Sequence, residues 1–192
     1  MKYLSRLYDF KIQGELWKAF AYLWEIAEEK DRRLMTLLFA VKNDRLLQLS
    51  IPVVINTPKG KKVTVEAIME QIEVVYPIRF TEITLHAAAK NIASSWEQAG
   101  YIEHKVRNIR IAVNPAYTTV LFALYLGKMN GLAGEKLLKS EWVQGLELSE
   151  PKLKGLVAEA AMKDLITYKH GGGVVAINFE NLINQINLWH QS

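Results

Sequence analysis

The sequence contains no cysteine. Disulfide scaffolds, cysteine-ligated zinc sites, iron–sulfur clusters and cysteine nucleophiles are therefore excluded. Long hydrophobic runs are also missing. The longest uncharged stretch, residues 111–127, contains Asn114 and Pro115 and falls short of the roughly 20 apolar residues of a membrane helix. Because the start of the chain carries scattered charges and no apolar run before a small-residue cleavage site, no signal peptide is expected. These absences predict a soluble, cytoplasmic protein with no membrane partner.

A strong excess of one charge sign is absent as well. The chain has 24 Lys and Arg against 20 Asp and Glu, a net charge of +4. This balance permits nucleic-acid binding without requiring it, because an electrostatic footprint depends on how the charges cluster. The densest positive run is Lys59, Lys61 and Lys62, next to Pro58 and Gly60. We interpret this run as a solvated loop tip rather than as a phosphate contact.

The 192 residues, half of them hydrophobic, are enough for one large domain or two small ones. Apolar residues at three- and four-residue spacing predict helices over residues 15–30 and 31–49. Residues 50–62, with their prolines and Gly60, are predicted to be extended or loop. Thr64 then caps a predicted helix to about residue 75, and Thr81 caps a second that ends before Gly100. Residues 101–113 alternate apolar and polar side chains and predict a hairpin turning near residues 107–108.

The same order, two helices and then a hairpin, is predicted a second time. A strongly apolar helix over residues 116–128 comes first, followed by helices over residues 134–146 and 149–163. Residues 165–179 predict a hairpin that turns at the three glycines 171–173, and a short helix over residues 179–189 closes the chain. We therefore predict a mainly α protein packed as one globule. Its three predicted segments are an N-terminal helical region with a basic loop (1–62), a first winged-helix-like unit (63–115) and a second (116–192).

The second helix of the first unit has one apolar face and one polar face. Its apolar stripe consists of Leu85, Ala89, Ile92, Trp96 and Ala99. The opposite face carries small polar and basic residues, the types that contact base edges and phosphates in the major groove. With the following hairpin, the candidate DNA-binding residues are Lys90, Asn91, Ser94, Gln98, Lys105, Arg107 and Arg110. Glu97 and Glu103 count against this interpretation. The alternative is that these residues form the solvent-exposed face of an ordinary surface helix.

The second unit is a weaker candidate for DNA contact. Lys152 and Lys154 lie on its helix and Lys169 lies in its hairpin, but Glu150 and Glu159 give that helix mixed charge. The glycine run is predicted to be a hairpin turn, because no Gly-Lys-Ser/Thr sequence follows it.

No catalytic residues emerge from the sequence. The four histidines have no spacing that places two metal ligands on one helical face, and no Gly-x-Ser-x-Gly elbow is present. We therefore predict a protein that is not an enzyme, with no metal and no cofactor.

Three segments carry a family resemblance. They are NIASSWEQAGY at residues 91–101, LFALYLGKMNGLAGEKLLKSEW at residues 121–142, and an Ala-x-x-x-x-Leu-Ile-x-Tyr run followed by a glycine turn and Asn178-Phe179. Across residues 64–180 the chain resembles the BrxA family of bacteriophage-exclusion (BREX) defence systems. The resemblance implies a mostly helical protein with helix-turn-helix elements that binds double-stranded DNA. It implies BREX partners encoded with it: a DNA methyltransferase, an ATPase and a phosphatase-like protein.

Residues and resemblance together predict a non-enzymatic, double-stranded DNA-binding accessory protein that contacts mainly the phosphate backbone. Two alternatives stay open at this point. One is a protein–protein docking module of a multi-subunit defence complex, and the other is a winged-helix transcriptional regulator. A docking module should show no DNA affinity, whereas a regulator should prefer one site by several kcal/mol.

Overall fold

The computed structural model describes residues 14–103, 108–171 and 174–191. The chain is mainly helical, as the sequence predicts. None of the helices among those residues is both long and apolar enough to cross a bilayer. In chain order the elements are α1 (Glu15–Ile26), α2 (Glu29–Asn43), α3 (Arg45–Leu49), α4 (Ile51–Asn56), α5 (Val65–Val75), α6 (Glu82–Gln98), β1 (Ile102–Glu103), β2 (Ile109–Arg110), α7 (Tyr117–Met129), α8 (Glu135–Leu138), α9 (Glu141–Gln144), α10 (Glu150–Met162), β3 (Thr167–Gly171), β4 (Val174–Asn178) and α11 (Glu180–Trp189).

The elements form two compact units. The central unit comprises Thr36–Val113, and the discontinuous unit comprises the described residues within Met1–Met35 and Asn114–Ser192. This division differs from the three predicted segments. Residues 36–62 belong with the first winged-helix-like segment, whereas the residues before them belong with the second.

The helix pair of the central unit forms where the local signals place it. The Thr64 hydroxyl accepts a hydrogen bond from the Ala67 N–H at 3.1 Å, and the Thr81 hydroxyl accepts one from Thr84 N–H at 3.3 Å. Each cap satisfies a backbone donor that the first helical turn leaves without a partner. Gly100, at φ +84°, ends α6 in the left-handed conformation that glycine adopts without strain. All five residues of the predicted apolar stripe of α6 are buried.

Three predicted boundaries are wrong. Residues 51–56 form a helix, α4, instead of an extended segment, because Pro52 lies in the first turn, where no N–H is needed. The helix predicted over residues 31–49 is interrupted at Asp44, whose carboxylate caps α3 by accepting from the Leu46 and Leu47 N–H groups. The helix predicted over residues 134–146 is two short helices, α8 and α9, and Ser140 caps the second.

Helix α7 is the core of the discontinuous unit. Its residues from Thr118 through Gly127 are buried, as the continuous apolar run predicts, and α1, α9 and α10 pack against it. The buried carboxylate of Asp31 caps this helix from α2. It accepts hydrogen bonds from the Ala116 N–H at 3.0 Å and from the Thr118 hydroxyl at 2.6 Å. A negative charge at a helix N-terminus is also favoured by the helix dipole.

Both predicted hairpins are present. Strands β3 and β4 pair antiparallel with Tyr168 opposite Ile177, and β1 pairs with β2 with Ile102 opposite Arg110. Asn108 precedes β2 at φ +58°. Gly172, the predicted tip of the second hairpin, lies outside the described residues.

Candidate nucleic-acid interface

A third strand lies beside the hairpin of the central unit. Residues 60–63 run antiparallel to β2, with Lys62 opposite Ile109. The Val63 N–H donates to the Asn108 carbonyl at 2.9 Å, and the Arg110 N–H donates to the Lys61 carbonyl at 2.8 Å. The order across the sheet is therefore residues 60–63, then β2, then β1. The basic run that we interpreted as a loop tip is an edge of this sheet.

A β-bulge fixes where this edge begins. The Lys61 N–H donates to the Pro58 carbonyl at 2.9 Å, closing a tight turn in which Gly60 has φ +83°. Gly60 and Lys61 both hydrogen-bond Arg110, one through its N–H at 2.8 Å and the other through its carbonyl. Two residues on one strand therefore lie opposite one residue on the other, which is the pairing of a β-bulge that starts at a left-handed glycine. The turn and bulge hold the lysines against the sheet instead of leaving them on a free loop.

The two faces of the small sheet differ in polarity. Val63, Ile102 and Arg110 are buried on the inner face. Lys62 and Glu103 lie on the outer face, in one row on either side of Ile109, and both are exposed. Two strand spacings separate their Cα atoms, about 9–10 Å. The outer face carries one cation and one carboxylate, and no ion pair joins these two residues.

The structure corrects the assignment of Arg110 as a DNA contact. Its side chain is 0% exposed. The guanidinium donates to the carbonyls of Val54 at 3.0 Å, Tyr101 at 3.4 Å and Ile111, and it lies 4.9 Å from the centre of the Tyr101 ring. Alternation along β2 places Arg110 inward and leaves Ile109 half-buried, opposite to the pattern inferred from residue polarity. Arg110 therefore holds the sheet to the helices and cannot reach a phosphate from this position.

The candidate residues on α6 lie on its open face. Lys90, Asn91 and Gln98 are exposed, and Ser94 is half-buried. Ser94 and Gln98 are one helical turn apart, and the Gln98 amide donates to the Ser94 hydroxyl at 3.3 Å, so the two side chains form a small polar surface. Lys90 makes no ion pair with any residue that the structure describes. The remaining hairpin candidates, Lys105 and Arg107, lie outside the described residues, as does His104.

The candidates of the second unit are partly occupied by local partners. Lys154 forms an ion pair with Glu150 at 2.6 Å, and this hydrogen bond lowers the pKa of the Glu150 carboxyl. The Lys152 ammonium donates to the Asn114 side-chain carbonyl at 2.5 Å. Lys169 is exposed on β3. The structure therefore gives the discontinuous unit less available positive charge on α10 than the count of lysines suggests.

Sequence reasoning missed the pairing of residues 60–63 with the hairpin, because it interpreted Lys59, Lys61 and Lys62 as a loop tip. The signal was present in the order Lys62, Val63, Thr64, in which a polar residue and an apolar residue precede a helix cap, as expected where a short strand leads into a helix. Across residues 14–103, 108–171 and 174–191, no three histidine or acidic side chains are grouped so that they could hold a metal ion. Comparison of this chain with protein-family models, curated proteins and solved structures found no match.

Proposed function

We propose that this chain is a non-enzymatic accessory protein that binds double-stranded DNA through its central unit, mainly at the phosphate backbone. The observation that best supports DNA contact is the pairing of residues 60–63 with β2. It places Lys61 and Lys62 along the hairpin that follows a helix pair, which is the order of elements in a winged helix. A role in BREX-type phage defence, beside the other BREX proteins, is the part of this proposal that rests on the family resemblance.

The candidate residues of the central unit suit phosphates better than base edges. Lys61, Lys62 and Lys90 are exposed, and within the described part of the chain none of them forms an ion pair. A lysine without a carboxylate partner keeps its charge available to displace the counterions condensed on DNA. Only Asn91 and Gln98 on the open face of α6 have amide side chains able to read bases. We therefore propose binding that depends strongly on salt and weakly on sequence.

The test is a double substitution, Lys61→Ala with Lys62→Ala, assayed by fluorescence anisotropy on a short duplex between about 50 and 200 mM salt. Each lost phosphate contact reduces the slope of log K against log salt by about 0.9, so the expected reduction is about 1–2 units on every sequence. The matched control is Lys136→Ala with Lys139→Ala. It removes the same charge from two exposed lysines at α8, and Lys139, which follows that helix, is paired with Glu135 at 2.7 Å. An equal reduction of this slope in the two double variants would mean that net charge alone governs binding, and the proposed surface would be wrong.

Competition between duplexes tests the remaining alternatives. A transcriptional regulator would prefer one site by several kcal/mol over unrelated DNA, and Asn91→Ala would then cost roughly 1–3 kcal/mol on that site alone. The proposal expects a small effect of Asn91→Ala on all sequences instead. Wild-type protein without measurable DNA affinity at about 50 mM salt would overturn the proposal.

A further inference from the structure

Three large apolar side chains are exposed together at the turn between α5 and α6. Val74 is 78% exposed near the end of α5, Ile78 is 100% exposed in the turn, and Ile83 is 84% exposed in the first turn of α6. Because α5 and α6 pack against each other, the three side chains lie at one end of the helix pair. We call these three residues the turn patch. Exposed apolar side chains that are grouped at one end of a helix pair mark interaction sites more often than single ones do.

The backbone of Ile78 is held in an unfavourable conformation. Its φ of +61° is the left-handed region, which a β-branched residue rarely enters because its Cβ crowds the backbone. A glycine or asparagine at this position would make the same turn without that strain. The turn therefore carries a residue that is costly in conformation and fully exposed to water. The exposed side chain buries no apolar surface and the backbone strain costs conformational energy, and strain of this kind is found at functional sites.

Carboxylates border the turn patch. Glu70 lies one helical turn before Val74, Glu73 lies next to it, and Glu82 lies next to Ile83. In the described part of the chain, none of the three forms an ion pair. Glu73 also lies in the last turn of α5, where the helix dipole disfavours negative charge. These carboxylates therefore give the border of the patch a negative potential that local structure does not require.

The cation within the turn does not cancel this potential by pairing with the carboxylates. The Arg79 guanidinium lies 4.8 Å from the centre of the Tyr76 ring and 5.7 Å from that of Phe80. It stacks on these rings, and no ion pair joins it to a described acidic residue. Among the residues that the structure describes, therefore, no cation pairs with the three carboxylates of the border.

We propose that the turn patch is a docking surface for a basic amphipathic segment of a protein partner. The apolar side chains of that segment cover Val74, Ile78 and Ile83, and its flanking Lys or Arg residues face Glu70, Glu73 and Glu82. Charge complementarity selects this occupant, because a neutral or acidic segment would leave the carboxylates unpaired or repelled. The same carboxylates disfavour DNA at this end of the helix pair, so the docking surface is separate from Lys61 and Lys62. The inference goes beyond DNA binding and does not depend on it.

The probe is a synthetic peptide built only from Leu and Lys, with Leu at the i, i+3, i+4 and i+7 positions of a helix. The control peptide has Glu in place of every Lys. Binding to the full chain is followed by fluorescence anisotropy of the labelled peptide. We expect the Leu/Lys peptide to bind and the Leu/Glu peptide to bind at least about tenfold more weakly. Equal binding of the two peptides, or no binding of the first, would overturn the proposal.

Ile78→Gly separates docking from folding. Glycine accepts φ +61° without strain, so this variant should unfold at the same or a higher temperature than wild type while binding the Leu/Lys peptide about tenfold more weakly. Glu70→Gln with Glu73→Gln should weaken the same peptide and flatten the salt dependence of its binding. The matched control is Met162→Ser, because Met162 is 80% exposed on α10 in the other unit. Affinity that falls as far in the control as in Ile78→Gly would contradict the assignment.

Two further results would also contradict it. One is a wild-type dimer in sedimentation velocity that Ile78→Gly makes monomeric, since a second copy would then cover the patch. The other is a loss of duplex affinity in Ile78→Gly with the peptide affinity unchanged, since the turn would then face DNA.

Discussion

Substitution of Arg110 tests the correction that the structure makes to the predicted interface. In Arg110→Ala the Val54 carbonyl loses the guanidinium donor in a region where Val54 and Tyr101 are at most 1% exposed, whereas the Tyr101 carbonyl keeps its hydrogen bond from the Ile111 N–H at 2.9 Å. A hydrogen bond from a charged donor contributes about 1.5–3 kcal/mol, and the carbonyl left behind cannot turn to water. Removing a buried charge also removes its desolvation cost, which offsets part of the loss. We expect the free energy of unfolding to fall by about 3 kcal/mol, a large share of the roughly 5–15 kcal/mol of a typical domain.

The assay is urea unfolding followed by far-UV circular dichroism and by tryptophan fluorescence. Trp96 is a useful reporter, because it is buried in the central unit with its ring centre 4.8 Å from that of Tyr101. Arg110→Lys should recover little stability, since an ammonium is a single point of donation and cannot serve three carbonyls from one planar group. Lys62→Ala is the control on the same sheet, and it should change stability by less than about 0.5 kcal/mol. Arg110→Ala with nearly wild-type stability and a salt slope reduced by about one unit would refute the buried placement of Arg110.

Two further predictions concern the discontinuous unit. Asp31→Ala removes the acceptor of the Ala116 N–H and of the Thr118 hydroxyl, so the free energy of unfolding should fall by about 2–3 kcal/mol in the same urea assay. Asp31→Asn keeps one acceptor oxygen and should lose clearly less stability. Equal losses of stability in the two variants would contradict the cap. Burial raises the pKa of Tyr125 to about 12 from 10.0, so between these pH values the folded chain retains a proton that the unfolded chain releases. The free energy of unfolding should therefore decline by at most about 2–3 kcal/mol as the pH rises from 10 to 12. Tyr125→Phe should make this alkaline decline shallower, and an identical decline in both proteins would show that Tyr125 is not its source.

Local signals in the sequence account for most of the helical architecture. Thr64, Thr81 and Gly100 begin or end helices where their side-chain and backbone chemistry places them, and the stripe of α6 is buried as its spacing predicts. These signals are readable because a cap or a turn depends on residues within four positions along the chain. The predictions failed where two local signals compete. Pro52 was interpreted as a breaker, although it stands in a helical first turn, and Asp44 caps a new helix inside an apolar pattern that continues past it.

The candidate interface depended on long-range pairing that spacing does not encode. Residue types alone identified Lys90, Asn91 and Gln98 on an exposed helix face, because helical periodicity determines which residues share a face. They also identified Arg110, wrongly, because an arginine between two isoleucines on a strand looks like an outward residue.

By itself, then, the sequence determined most of the helices, the caps at Thr64 and Thr81, the two hairpins and the absence of cysteine chemistry, all of which follow from composition and near neighbours. The tertiary structure alone decided that residues 60–63 join the hairpin and that Arg110 turns inward to the Val54 carbonyl, 56 positions earlier in the chain. The register of a short edge strand and the partners of a buried guanidinium are chosen by packing against distant backbone, since a shift of one residue exchanges the two faces of a strand without changing its composition.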